Sequence, residues 1–327
     1  MKKVLVRTVV LLFMMVISVQ FMTAGGGKGD SAAKKGNPQV ALLLKDNISP
    51  GWRYITAAAM VKGKELGIDV TEHSPLGGQD ANEQYQLTEN AIERGVDAII
   101  IAPVDSAGIV PAIEKAKNAG IPVFTSNTRA FVKNPKDIVT FVGVENETGG
   151  YDIAKYMFSQ FPAGKQINLI IIDGNRSGQT TLDRIAGIER AIKGDSRVKL
   201  LDSQEAKFVR SQAQDIMEQF LVKHKQIDLV IALNDEMAIG AYNAIKSANR
   251  LKEMLISGFD GAPEGLQAVL DGQISATLNQ DLPGQGSEAI KAVKDYLDGK
   301  TIPDWIKVGG EVCVPSNARQ FLDKLRK

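Results

Sequence analysis

From residue 38 onward the chain alternates short apolar runs with longer runs whose apolar positions recur at helical spacing, and this rhythm limits its fold more than any other feature. Residues 40–44 read as a strand, 52–66 as a helix that Gly67 stops, and 67–71 as a second strand. A helix at 84–94, a strand at 97–102, a helix at 107–118 and a strand at 121–125 continue the pattern. It restarts with a strand at 138–144 and a helix at 149–158. Strands at 166–172, 198–203, 228–232, 255–258 and 274–278 then alternate with helices at 184–191, 211–224, 237–248, 265–270 and 286–297. Short apolar strands with no regular polar alternation are buried on both faces, which requires a parallel sheet between layers of helices. So many units exceed one open sheet, and 327 residues suit two similar lobes. The expected class is therefore α/β, with doubly wound parallel-sheet lobes.

The remaining composition narrows the function by exclusion. Apolar residues at 44% and charged residues at 24% describe a globular chain. A formal charge of +1 offers no basic stripe for nucleic acid. The single cysteine, Cys313, excludes an intrachain disulfide and a cysteine metal cluster, and its place between two valines reads as a buried structural thiol. Lys2, Lys3 and Arg7 precede an apolar run at 9–19, and a stretch of Gly, Lys, Ser and Ala follows from 25 to 36. That pattern predicts a secretory signal over 1–24 and a linker over 25–37, hence export to the periplasm or another extracytoplasmic space. Residues 21–26 resemble a lipoprotein box with glycine where the lipidated cysteine would stand, so a soluble and not a tethered protein is expected.

Doubly wound sheets bind ligands at the carboxyl ends of their strands. After the first strand stand Lys45, Asp46, Asn47, Ser49 and Trp52; later exits carry Asp105 and Ser106, then Ser126, Asn127, Thr128 and Arg129. In the second half Asp173, Asn175 and Arg176, then Phe208 and Arg210, then Asn234, Asp235 and Glu236, then Asp260, and finally Asn279 and Gln280 occupy the same kind of position. Amides, carboxylates and hydroxyls accompanied by Trp52 and Phe208 suit a carbohydrate: aromatic faces cover the C–H side of a sugar ring while planar polar groups meet its hydroxyls. Catalytic patterns are thin. His73 and His224 lack metal-ligand spacing, and neither a Gly-x-Ser-x-Gly elbow nor a phosphate-binding loop occurs. Neither enzyme chemistry nor a cofactor or metal is expected. Asp235 and Glu236 read as a helix cap and first-turn acid.

The segments Asn234-Asp-Glu-Met-Ala-Ile-Gly-Ala, Gly258-Phe-Asp-Gly-Ala-Pro-Glu-Gly and Ala276-Thr-Leu-Asn-Gln, with Gly95-Val-Asp-Ala-Ile-Ile-Ile-Ala-Pro and Ala119-Gly-Ile-Pro-Val, resemble the periplasmic sugar-binding proteins of the ribose, galactose and xylose type. The resemblance covers about residues 40–325. It implies the type I periplasmic binding fold, with two doubly wound lobes joined by a three-crossing hinge: 38–143 with 282–308, and 144–281 with 309–327. It also implies a monosaccharide (pentose, hexose or polyol) bound between the lobes, an ABC transporter permease as partner, and chemotaxis or sensor receptors as further partners.

By the same resemblance, the ligand contacts fall on Ser49, Trp52, Asn127, Phe208, Asn234, Asp260 and Gln280. Lys45 stands where ribose-type members carry a small hydroxyl residue, and Asn127-Thr128 where many carry Asp-Arg. An arginine of the second lobe is missing near position 182. Arg184 lies two residues on, and Asp183, Arg176 or Gln179 are candidates to replace it. The expected site is thus Lys45, Ser49, Trp52, Asn127, Thr128, Asp183, Phe208, Asn234, Asp260 and Gln280. The departures open an alternative to ribose: another sugar, or a non-sugar furanose-like signal.

Overall fold

The structure, a computed structural model, describes residues 36–325. The export segment at 1–24 and most of the linker lie outside the described residues. Residues 37–143 run β1 (Gln39–Leu43), α1 (Gly51–Leu66), β2 (Asp69–His73), α2 (Ala81–Glu93), β3 (Ala98–Ile101), α3 (Val110–Asn118), β4 (Val123–Ser126) and β5 (Phe141–Gly143). There follow α4 (Asn146–Ser159), β6 (Ile167–Asp173), α5 (Gln179–Lys193), β7 (Val198–Glu205), α6 (Arg210–Lys223), β8 (Leu229–Ala232), α7 (Asp235–Ser247), β9 (Leu255–Ser257), α8 (Pro263–Leu270) and β10 (Thr277–Asn279). The chain ends with α9 (Leu282–Leu297), β11 (Trp305–Lys307), β12 (Glu311–Cys313) and α10 (Ala318–Leu325).

Two parallel sheets organise these elements. The first has the order β11-β5-β4-β3-β1-β2 and the second β7-β6-β8-β9. Alternation along β1 explains the layering of the first: Val40, Leu42 and Leu44 join Ile55 of α1 and Ile290 of α9, whereas Ala41 and Leu43 join Ala91 of α2 and Ile113 of α3. One continuous core fills the second lobe, with Leu169 to Ile172 of β6 all buried. In each sheet the earliest strand lies between its two successors, so the winding reverses at β1/β3 and again at β6/β8. Such switch points leave a crevice at the strand ends.

The chain crosses between the lobes three times: at 144–146 from β5 into α4, at 280–281 from β10 into α9, and at 308–310 from β11 into β12. Gly309 has φ +67°, and a Cβ there would stand 2.5 Å from the Gln280 carbonyl carbon. β10 and β12 pair antiparallel beside the crossings, tied to the second sheet by single bridges from Ala276 to Ser257 and from Asn279 to Asp260. Several elements differ from the sequence expectation. β2 begins at Asp69, because Gly67 caps α1 in the left-handed region. β5 shrinks to three residues, β10 moves to 277–279, and β11, β12 and α10 carried no mark in the sequence reading.

Candidate functional site

The first-lobe wall is built by the turn that leaves β1. Its organiser is Asp46, whose carboxylate accepts the backbone N–H groups of Ile48 (3.0 Å) and Ser49 (2.7 Å), the Ser49 hydroxyl (3.3 Å), the Trp52 indole N–H (3.2 Å) and the Gln79 amide (3.4 Å). An Asp accepting from its own backbone two and three residues on makes a tight turn, and this one fixes Trp52 at the start of α1. Lys45, immediately before it, is 2% exposed. Asn127 follows β4 at φ +62°, donating to Gln280 Oε1 (3.3 Å).

On the second lobe, Lys207 and Phe208 both occupy the left-handed region, at φ +52° and +65°. Non-glycine residues held there concentrate at functional sites. Gly174 makes room for the Phe208 ring, since a Cβ at 174 would lie 2.0 Å from it. Asn234 caps α7 through Met237 N (2.9 Å), which leaves its amide N–H₂ to face the cleft and the Phe208 carbonyl (3.5 Å). The cap of α7 is therefore Asn234 and not Asp235. Asp235 instead is buried beneath the loop after β9, accepting from the Thr277 hydroxyl and Ala262 N.

Arg184, on α5, is the best-held cation of the cleft. Its guanidinium stacks on Phe259 at 3.6 Å, donates to Asn146 Oδ1 (2.9 Å) and the Leu233 carbonyl, and lies 4.0 Å from Asp260. Asp260 also accepts from Gln280. Burial pushes the Asp260 carboxyl up to about 7 against the pull of Arg184, and raises Asp235 as well, with Asp260 adding repulsion. Burial lowers Arg184 to about 10 and, with Arg184 beside it, Lys45 to about 7.

These walls border one cavity between the lobes. Lys45, Ser49, Trp52, Asn127, Phe208, Asn234, Asp260 and Gln280 line it together. Thr128 and Asp183 do not. The Thr128 hydroxyl sits behind Asn127, 2.7 Å from Thr180 Oγ1 and fully buried, because the left-handed turn at Asn127 sends the next side chain inward. Asp183 faces a separate cavity beside the crossings, with Arg129, Phe141 and Trp305, and bonds Gln179. The position it was expected to fill is taken by Arg184, one residue on. Arg176 turns away to Asp173 (2.7 Å). Gln79, Thr180 and Glu264 also line the cavity and were not expected there, and Glu236, read as a first-turn acid, lines it as well; the double glycine before Gln79 is the signal that marks its loop.

The lobes meet along the rim. Ser106 N donates to the Ser177 carbonyl (3.0 Å), Gln179 N to Ser106 Oγ (2.9 Å), Asn175 to Gln79 Oε1 (3.1 Å) and Ser177 Oγ to the Val104 carbonyl (3.3 Å). Arg53 approaches Glu264 at 3.9 Å. This is a closed arrangement. Among the described residues no group of three or more His, Cys, Asp or Glu side chains could hold a metal ion, and no helix is long and apolar enough to cross a membrane.

A family model described as a periplasmic binding protein domain matches residues 40–301. The galactofuranose-binding protein YtfQ of Escherichia coli (strain K12) is 31% identical over 84% of this chain and 87% of its own length. The crystal structure of a galactofuranose binding protein superposes with a TM-score of 0.83 at 29% identity, covering 88% of this chain and 98% of the other. The binding protein component of the arabinose ABC transporter from Shewanella sp. ANA-3, bound to α- and β-L-arabinofuranose, gives 0.81 at 28% identity, covering 88% and 95%.

Proposed function

The chain belongs to the periplasmic binding protein domain family, and from that premise we propose that it is the substrate-binding component of an ABC transporter, taking a monosaccharide into the interlobe cleft by hinged closure. It is a binding component and not an enzyme. The observation that carries the reading is the cavity between Trp52 of one lobe and Phe208 of the other, with Asn127, Asn234, Asp260, Gln280 and Arg184 around it. A hydrogen bond to a charged group contributes about 1.5 to 3 kcal/mol, and micromolar binding needs only about 8 kcal/mol, so three or four such bonds and one stacked ring suffice. The relatives named above bind galactofuranose and arabinofuranose, which makes five-membered sugar rings the first candidates.

Sheet membership supports the lobe boundaries of this reading, 38–143 with 282–308 and 144–281 with 309–327. Export by a cleaved signal over 1–24, delivering a soluble periplasmic protein, belongs to the same reading and is supported by the basic and apolar order of that segment. The closed surface serves a permease and is equally open to a chemotaxis or sensor receptor; deleting the protein and scoring uptake and taxis separately distinguishes the two. The direct test is calorimetry of refolded, ligand-stripped protein against pentoses, hexoses and polyols that populate furanose forms. Saturable binding of one of them at micromolar or tighter affinity is expected. Heats no larger than dilution across the panel would remove the sugar assignment.

A further inference from the structure

Lys45 enters the cavity from the end of β1 on the first lobe, 2% exposed. Among the described residues its ammonium makes no hydrogen bond and no ion pair. What the second lobe brings to it is an aromatic face, a glycine and a like charge: the Phe208 ring at 5.6 Å, Gly178 with its Cβ position 3.6 Å from Nζ, and the Arg184 guanidinium of α5. The carboxylates that face it hold other donors. Asp46 accepts from its own turn and Trp52, and Asp260 from Gln280. On the far wall, Asp235 accepts from Thr277 and Glu236 from Arg210. Bringing the lobes together therefore takes water from an ammonium and returns no acceptor, which is unfavourable for a buried charge.

We propose that Lys45 couples closure to occupancy: its ammonium makes closing over an empty cavity unfavourable, and a ligand that sets an oxygen acceptor beside it removes that penalty. The proposal rests on the hinged closure described above and on no particular sugar. It makes Lys45 a specificity residue of the closing step, because a molecule with only C–H groups at this corner leaves the ammonium bare and the cleft open. Burial and Arg184 lower the Lys45 pKa to about 7, with Asp46 and Asp260 opposing, the electrostatic counterpart of the same missing acceptor.

Two amides read the closed state directly. Ser106 N and Gln179 N bond across the cleft, so they exchange slowly with solvent only while the lobes are together. Hydrogen exchange of ligand-stripped wild type, Lys45→Met and Lys45→Arg is compared at one pH near neutrality. Met keeps the length and packs on the aromatic ring without a charge. At Ser106 and Gln179, Lys45→Met should exchange at least about tenfold more slowly than wild type, one pKa unit being a factor of ten, and Lys45→Arg should match wild type. Leu233 N, bonded within the second lobe to the Ile172 carbonyl, should not change and reports an intact fold. If Lys45→Met unfolds, Lys45→Gln carries the same comparison. Equal exchange at the two rim amides in wild type and the neutral variant overturns the proposal. Slowing in a protein that responds to no sugar keeps this proposal and rejects the sugar assignment; a sugar response without slowing does the reverse.

Discussion

At the residue scale, the cleft's polarity is set by side chains that are themselves held by others. Asp260 lies between Arg184 and Gln280, so its carboxylate is oriented before any ligand arrives. Replacing it with alanine should weaken sugar binding by about 2 kcal/mol, roughly 30-fold, measured by calorimetry. Asp183→Ala should stay within about threefold of wild type, since surface changes away from a site have small effects and Asp183 faces another cavity. Arg184 and Asp183 also show where sequence reading loses resolution. The position was found to within a turn of helix, but adjacent residues on a helix point about 100° apart, and only the packing of α5 against Phe259 and Asn146 selects Arg184. The eight residues that do share the cavity stand just past strand ends or, for Trp52, at the start of α1, where the strand and helix rhythm directs a search; the family resemblance picked them out from the other polar residues there.

The same scale carries a pH prediction. A lysine ordinarily titrates at 10.5, and in the closed cleft burial, with Arg184 beside it, lowers Lys45 to about 7. Protonation therefore favours the open form: the penalty on empty closure is full below about 7 and fades as pH rises toward 10.5. The ratio of rim-amide exchange between wild type and Lys45→Met should accordingly fall toward one across that window.

At the scale of elements, the long buried runs were readable and the short hinge pieces were not. β6, with Leu169 to Ile172 wholly buried, announces itself as a strand. β11 and β12 are three residues each, and β11 becomes a strand only by pairing with β5, a partner remote in the chain. No local pattern encodes such a pairing. The turn at Lys207 and Phe208 depends in the same way on Gly174. Gly174→Ala should push the Phe208 ring out of place and lower affinity about tenfold, as a small overpacking does in a rigid site, with calorimetry as the readout. Gly309→Ala, at φ +67° against Gln280, should cost about 1 to 2 kcal/mol of stability from its backbone conformation alone, read by denaturant unfolding.

At the scale of the whole molecule, two sheets wound alike face each other across their strand ends, and three crossings allow them to part and meet. A ligand shifts that equilibrium only by binding the closed form better than the open one, which is what contacts drawn from both lobes provide. Scattering of ligand-stripped protein should give a larger radius of gyration than the sugar-bound protein. The most direct test of the central claim is the fluorescence of Trp52. The chain has two tryptophans, and Trp305→Phe keeps an aromatic ring under Arg129 while leaving Trp52 as the sole reporter. Titrated with furanose-forming monosaccharides, this variant should give a saturable change for one of them, and Asp260→Ala in the same background should move its midpoint to roughly 30-fold higher concentration. A Trp52 signal that no sugar perturbs, or a response that survives Asp260→Ala undiminished, would contradict binding in the interlobe cleft.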